Sequence, residues 1–359
     1  MRRSVSLIVT LAALLTSPLV SAFVVVGSQS TFTVNFNSDN TLYDADREEV
    51  AQRAVRFWAD LLPSSVPIEV NMSFIDDDAM PCEADRAVLG NGGATSIVAN
   101  FANAPFPDTV YPVALASAIA GFDVVPPASG VDASDISINL NARLDDNAYP
   151  ECLGGGDWYY GSNAPFGNDV SLYSTILHEL AHGLGFQMYA DLGSGELIKL
   201  PPSRGAAPIP MNDIFLLHLY DVNSGAHLSK SEMTNAERVT AATSTNNLMW
   251  DGSKVSQAAS VLSAGVAQGK VMMYAPATFE PAASAAHFSP ALSPDELMEP
   301  ANTPFFIQDL TVALMDDIGW SNHDDGRVTA SDSVITGDGG SFLFCVLFLL
   351  PLFMKFFRR

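Results

Sequence analysis

The residues whose types and spacing best suit chemistry are His178-Glu-Leu-Ala-His182-Gly-Leu-Gly185-Phe186. On a helix of about 3.6 residues per turn, His178 and His182 stand at i and i+4, so both imidazoles leave one face a turn apart. That is the reach two nitrogens need to bind one zinc ion at about 2.0–2.1 Å. Glu179 is rotated off that line and can take the proton of a metal-activated water without being a ligand. Gly185 falls three residues past His182, where the helix must stop and the chain must turn, a place that favours tolerance of positive φ. The chain has six histidines in 359 residues, and two of them lie in this one turn. A helix that needed only an apolar face would use Leu or Ala there, because buried imidazoles require hydrogen-bond partners.

A catalytic zinc usually takes three protein ligands and leaves a position for water. The place three residues beyond Gly185 is Met188, whose thioether is a poor zinc ligand. The remaining candidates are His218, His227, His287 and His323, or a carboxylate such as Glu196 or Glu237. His218 sits in an apolar run that suits a packed ring, His227 in a polar turn and His323 in a polar linker. His287 has more context: Glu296-Leu-Met298-Glu-Pro300 follows it, with Met298 eleven residues on, and then a helical stretch ending in Asp317-Ile-Gly-Trp320.

In the order of these features, from Tyr173 to Trp320, the chain resembles the leishmanolysin-type metzincin metalloproteases. The resemblance rests on the H-E-x-x-H-x-x-G-F helix, a long insertion, a later histidine, an E-L-M-x-P-like turn and the closing Leu310–Trp320 segment. It implies that His178, His182 and His287 bind one catalytic Zn2+, that Glu179 is the general base, and that Met298 forms the floor of the site. The implied activity is hydrolysis of peptide bonds in protein or peptide substrates by a zinc endopeptidase. Two departures stand out. The insertion between Gly185 and His287 is about a hundred residues, although closing a long loop costs only logarithmically more entropy. Little chain separates Ala22 from the first strand, so control by a cleaved leader is not expected. Two rival readings remain: a gluzincin-type zinc hydrolase with Glu196 or Glu237 as third ligand, and a non-catalytic surface adhesin on a protease scaffold. The intact Glu179 speaks against the second.

The ends of the chain concern export. Arg2 and Arg3, an apolar Leu7–Leu15 and the small-residue site Val20-Ser-Ala22 read as a signal peptide over residues 1–22. Gly339-Gly340 leads into the 13 apolar residues Phe342–Met354 and then a basic terminus, a segment short for a span of about 20 residues. This arrangement resembles the GlyGly-CTERM sorting tails of Gram-negative bacteria. It implies transient inner-membrane association, cleavage by a rhomboid-type sorting protease, and release or display at the cell envelope or surface. Without both ends, 12 Lys and Arg face 40 Asp and Glu, a net charge near −28 against −23 for the whole chain. Such acidity argues against nucleic acid as a partner and leaves room for Ca2+. Cys345 lies in the tail, so Cys82 and Cys152 remain as an even pair in an oxidising compartment, where a disulfide is the expected state.

The elements that must position the motif read as an α+β fold of metzincin-like, two-lobed zincin type. Alternating Thr31–Phe36 and Ile68–Ile75, with Thr95–Phe101 and Asp135–Leu140, are strand candidates, while Asp46–Leu62 and Val113–Gly121 carry helical spacing. Asp169 and Ser171 can both cap the histidine helix. The glycine- and aromatic-rich Gly154–Gly161 is a loop, whose Trp158, Tyr159 and Tyr160 could line a substrate cleft but are read in preference as core packing. The expected organisation is a catalytic lobe with a mixed sheet over 23–186, an irregular lobe with the methionine turn and closing helix over 187–320, a linker over 321–340 and the tail over 341–359. Within the second lobe, Lys230–Ala242 is expected as a surface helix and Leu248–Gly252 as a turn.

Overall fold

A computed structural model describes residues 21–38, 43–78, 80–125, 134–145, 148–162, 167–202, 206–301, 306 and 308–321, together with the backbone of 335–338 and 345–348. The expected signal peptide lies outside these residues except for Ser21 and Ala22, which begin the first strand. Most of the linker and of the apolar tail also lie outside them. No helix among the described residues is long and apolar enough to cross a membrane.

The fold is α+β. The main sheet is built from β1 (Ser21–Val26), β2 (Thr31–Asn37), β3 (Ile68–Ile75), β4 (Val88–Ala94) and β7 (Ile136–Asn141), in the order β1-β2-β3-β7-β4. β2, β3 and β7 run parallel, and β4 runs antiparallel to β7. The alternation in sequence is realised as expected: Phe32, Val34 and Phe36, with Ile68, Val70, Met72 and Phe74, are buried. Helix α1 (Asp44–Leu61) turns Val50, Ala51, Ala54, Val55 and Trp58 inward. It lies against the histidine helix α3 (Leu172–Leu184), and the Trp58 indole donates to the Leu177 carbonyl at 3.2 Å.

β4 is the main strand that sequence reading missed. Its run Gly90-Asn-Gly-Gly93 has few β-forming side chains and reads as a loop. Packing explains the composition. A Cβ on Gly92 would stand 2.5 Å from the Glu179 carbonyl oxygen, so only glycine lets the strand lie directly on α3. Beyond β4, the backbone of Cys345–Phe348 pairs antiparallel, with Cys345 opposite Gly92.

β5 (Ser96–Ala99) and β6 (Thr109–Pro112) form an antiparallel pair that leads into α2 (Val113–Ala120), closed by Gly121 at φ 77°. After α3, short strands Leu219–Asp221, Ala226–His227, Leu248–Trp250, Val266–Ala267 and Lys270–Met272 form a second antiparallel sheet. Leu248–Trp250 is therefore a central strand and not the expected turn. Its three residues are all buried, and the Asp251-Gly252 pair that suggested a turn only ends it. Helix α4 (Asn235–Ala241) occupies the second half of the helix expected from Lys230, starting at a capping box formed by Thr234 and Glu237. Helices α5 (Ser253–Ala258) and α6 (Asp309–Ile318) pack together. One apolar cluster includes both Phe23 and Trp320. Cys82 and Cys152 form the expected disulfide, joining positions 70 residues apart.

Asp135 ties this sheet together at a buried position: its N–H donates to the Glu69 carbonyl at 2.7 Å, and its carboxyl accepts from the Glu69 N–H at 2.8 Å. Burial raises that carboxyl from 3.8 to about 7. The folded state thus holds the proton more tightly than the unfolded chain. The resulting stability is present below about pH 4 and is lost as pH rises through about 7. Urea unfolding at pH 5.5 and 8.5 should show a loss at the higher pH of up to a few kcal/mol, at about 1.4 kcal/mol per pKa unit. Asp135→Asn, whose amide oxygen still accepts from Glu69, should reduce that dependence by the share Asp135 contributes.

Candidate metal centre

Helix α3 begins at Ser171, whose hydroxyl accepts from the Ser174 N–H at 3.2 Å. Asp169, the other cap candidate, instead accepts from the Asp157 N–H. The helix is buried along almost its whole length, so it crosses the interior and carries His178, Glu179 and His182 into it. It stops at Gly185, with φ of 128°, where a side chain would also strike Ile318. This turn brings the Phe186 carbonyl to within 2.6 Å of His182 Nδ1.

Three imidazoles converge. His182 Nε2 lies 3.0 Å from His178 Nε2, and His178 Nε2 lies 3.2 Å from His287 Nε2. All three side chains are buried. Each ring is anchored through its other nitrogen: His178 Nδ1 on the Leu297 carbonyl at 2.9 Å, His182 Nδ1 on Phe186, and His287 Nδ1 on the Ala283 carbonyl at 3.1 Å. A carbonyl can only accept, so each Nδ1 carries the proton and each Nε2 presents a lone pair. The short N···N contacts are therefore opposed lone pairs and not hydrogen bonds. A cation among them turns that repulsion into ligation. The edge of a tetrahedron with bonds of about 2.0–2.1 Å is about 3.3–3.4 Å, close to the observed spacings.

Burial pushes His178 down to about 3, with the neighbouring His287 adding to the shift, and His287 down to about 4. His182 is held well below its ordinary value by burial and by both neighbours. The rings are thus neutral at pH 7, the state a metal requires. Glu179 is fully buried, and neither of its carboxyl oxygens has a hydrogen-bond partner among the described residues. Burial raises its pKa well above the usual carboxylate range. Such an orphaned carboxyl beside a ligand cluster suits an acceptor waiting for a proton on a group that enters the site.

His287 arrives from a different part of the chain. Its carbonyl accepts from the Tyr274 N–H at 2.9 Å, and the Ala285 N–H donates to the Tyr274 carbonyl. The loop before it contains Ala282 and Ala285 at φ 66° and 64°, a region that costs a side chain about 1–2 kcal/mol per residue. The Phe288 N–H donates to the Met298 carbonyl at 2.8 Å, so the methionine turn is tied directly to the residue after His287. Met298 itself is fully buried.

The other candidates lie elsewhere. His218 stacks on Trp250 at 5.0 Å between ring centres, and His227 bridges Glu232 and Asp251. Glu196 pairs with Lys199 at the surface, and Glu237 serves the α4 cap, so neither carboxylate expected for a gluzincin-type site joins the cluster. His323 lies outside the described residues. Among the described residues, His178, His182 and His287 are the group able to hold a metal ion. Trp158 is core, as expected, its indole donating to the Asn141 carbonyl.

Sequence reading missed the carboxyls that brace this centre. Glu296 and Glu299 are buried in the methionine turn, and burial raises each to about 8 against the N–H groups that donate to it. Two glutamates flanking Leu-Met before a proline were visible, but nothing local marked them as interior. Comparison with protein-family models, with curated proteins and with solved structures finds no match.

Two outcomes follow from this geometry. His287→Ala should lower bound metal steeply in elemental analysis of the purified protein, whereas His218→Ala should leave it unchanged. Gly92→Ala should push β4 off α3 at Glu179 and lower unfolding stability by about 1–3 kcal/mol, read by denaturant titration.

Proposed function

We propose that the protein is a zinc-dependent endopeptidase of metzincin-like architecture. The single observation that carries this reading is the buried triad of neutral imidazoles with an unpartnered glutamate one residue from the first of them. The His-rich, thiolate-free donor set suits zinc, and three protein ligands leave a position open for chemistry. When bound, zinc supplies Lewis acidity that polarises a peptide carbonyl and lowers the pKa of water to about 7.

The chain's own residues supply the rest. Glu179 Oε accepts the proton of the attacking water and passes it to the departing amine. The absence of competing hydrogen bonds on Glu179 keeps both oxygens free for that transfer. His178, His182 and His287 hold their lone pairs in place through carbonyl anchors, so little reorganisation accompanies binding. The resemblance to leishmanolysin-type enzymes supports the same assignment, with Met298 beneath the site. Export by the 1–22 signal and sorting through the 341–359 tail belong to the same proposal, as does a protein or peptide substrate.

Glu179→Gln decides the reaction. The variant should keep its metal, because the ligands are untouched, and lose peptide cleavage by about 10²–10⁴-fold in a quenched-fluorescence peptide-library digest. Activity near the parent's would remove Glu179 from its role. An inactive parent that still binds metal would favour the adhesin alternative.

A further inference from the structure

The proton on His178 Nδ1 rests on the carbonyl of Leu297, and what holds Leu297 is its neighbour. Glu296 is buried, and its side-chain Oε2 accepts from the Leu297 N–H at 2.5 Å. The same carboxyl accepts from the Thr311 N–H at 2.7 Å through Oε1 and from the Thr311 hydroxyl at 3.2 Å through Oε2. Leu310 N–H donates to it as well. Those residues form the first turn of α6, whose own cap position, Gln308, contributes no side-chain hydrogen bond. A helix start with orphan N–H groups in the interior needs an acceptor from elsewhere, and Glu296 provides it.

The other end of α6 is fastened too. Past Gly319, at φ 122°, the Trp320 indole donates to the carbonyl of Leu184, the last residue of α3, at 2.9 Å. Helix α6 therefore spans from the methionine turn, through Glu296, to the end of the helix that bears His178 and His182. The two halves of the metal centre are separated by more than a hundred residues of sequence. They are joined by one rigid strut.

We infer that Glu296 is a positioning residue of the metal centre: by clamping the Leu297 peptide to the start of α6, it sets the orientation of the His178 ring through the Leu297 carbonyl. Glu299 supports the clamp from the other side, its carboxyl accepting from the Glu296 N–H at 3.0 Å. The inference rests on the reading of the three histidines as a metal site and not on the peptidase reaction.

The test uses the full chain with Glu296→Gln, which keeps the side-chain length but sets an amide NH2 among backbone N–H donors, with only the Thr311 hydroxyl able to accept from it. Zinc affinity, measured by competition with a chelating dye, should fall about 10–100-fold. The d–d absorption bands of the cobalt-substituted protein should shift, because the ligand geometry changes. In the metal-free protein, the His178 Nδ1 proton should exchange faster by NMR. Thr234→Ala, which removes the remote α4 cap, is the control for simple loss of stability; it should lower Tm with zinc affinity, cobalt spectrum and proton exchange unchanged. If Glu296→Gln behaves like that control, Glu296 is only a helix cap and the inference is overturned. Should Glu296→Gln fail to fold, Thr311→Ala removes one donor to Oε2 and carries the same readouts, with an expected loss of affinity of about threefold and the parent's affinity overturning the inference. A parent that binds metal without cleaving peptides leaves these readouts intact, so failure of the peptidase reading is separable. A parent that binds no zinc overturns the inference together with the metal reading.

Discussion

Three imidazole nitrogens face one another across about 3 Å of buried interior, each deprotonated because its ring partner is committed to a carbonyl. Without a cation this arrangement is unfavourable: neutral rings lose hydration and gain only mutual repulsion. Much of the fold serves to hold it. The sheet and α1 bury α3, Gly92 lets β4 close over it, Gly185 turns the chain so that a carbonyl meets His182, and the strained Ala282–Ala285 loop delivers His287. A cluster that needs so many backbone groups at fixed positions is preorganised to hold a metal ion, because the cost of ordering the three histidines is met in folding.

The buried carboxyls form a second layer with the same logic. Asp135 joins strands, Asp213 accepts from the backbone around Tyr189 and Leu216, and Glu296 and Glu299 organise the methionine turn. Burial raises the pKa of all four. Such groups are expensive in an interior unless their hydrogen bonds are made, and here they mostly accept from backbone N–H groups that regular structure leaves over. Asp213, Glu296 and Glu299 hold together irregular chain between α3 and α6, where strands are two or three residues long and contribute little by themselves. Glu179 stands apart from them as the buried carboxyl with no partner.

How far a reader of the sequence can go depends on whether the signal is local. The i, i+4 histidines, the Ser171 cap, the Gly185 stop and the alternating strands β2 and β3 are consequences of helix and strand periodicity, and each is written within a few neighbouring residues. The Cys82–Cys152 pair was legible for a different reason, since elimination left two candidates. His287 was legible only in context, from the turn that follows it. β4 was missed and the Leu248–Trp250 strand misread because their residues answer to what packs on them: glycines where α3 presses closest, and continuous apolar residues where both faces are covered.

The sequence alone therefore determined the donor types, the pair of ligands on one helix face, the acid-rich character and the α+β pattern, because these follow from residue identity and short-range geometry. Tertiary structure decided which distant histidine completes the cluster, which nitrogen of each ring is free, and that Glu179 is left without a partner. Those facts depend on carbonyls contributed by Phe186, Ala283 and Leu297, from three separate turns. Every residue carries such a carbonyl, so no residue type announces the contact. Only the folded path of the chain brings each one to its imidazole.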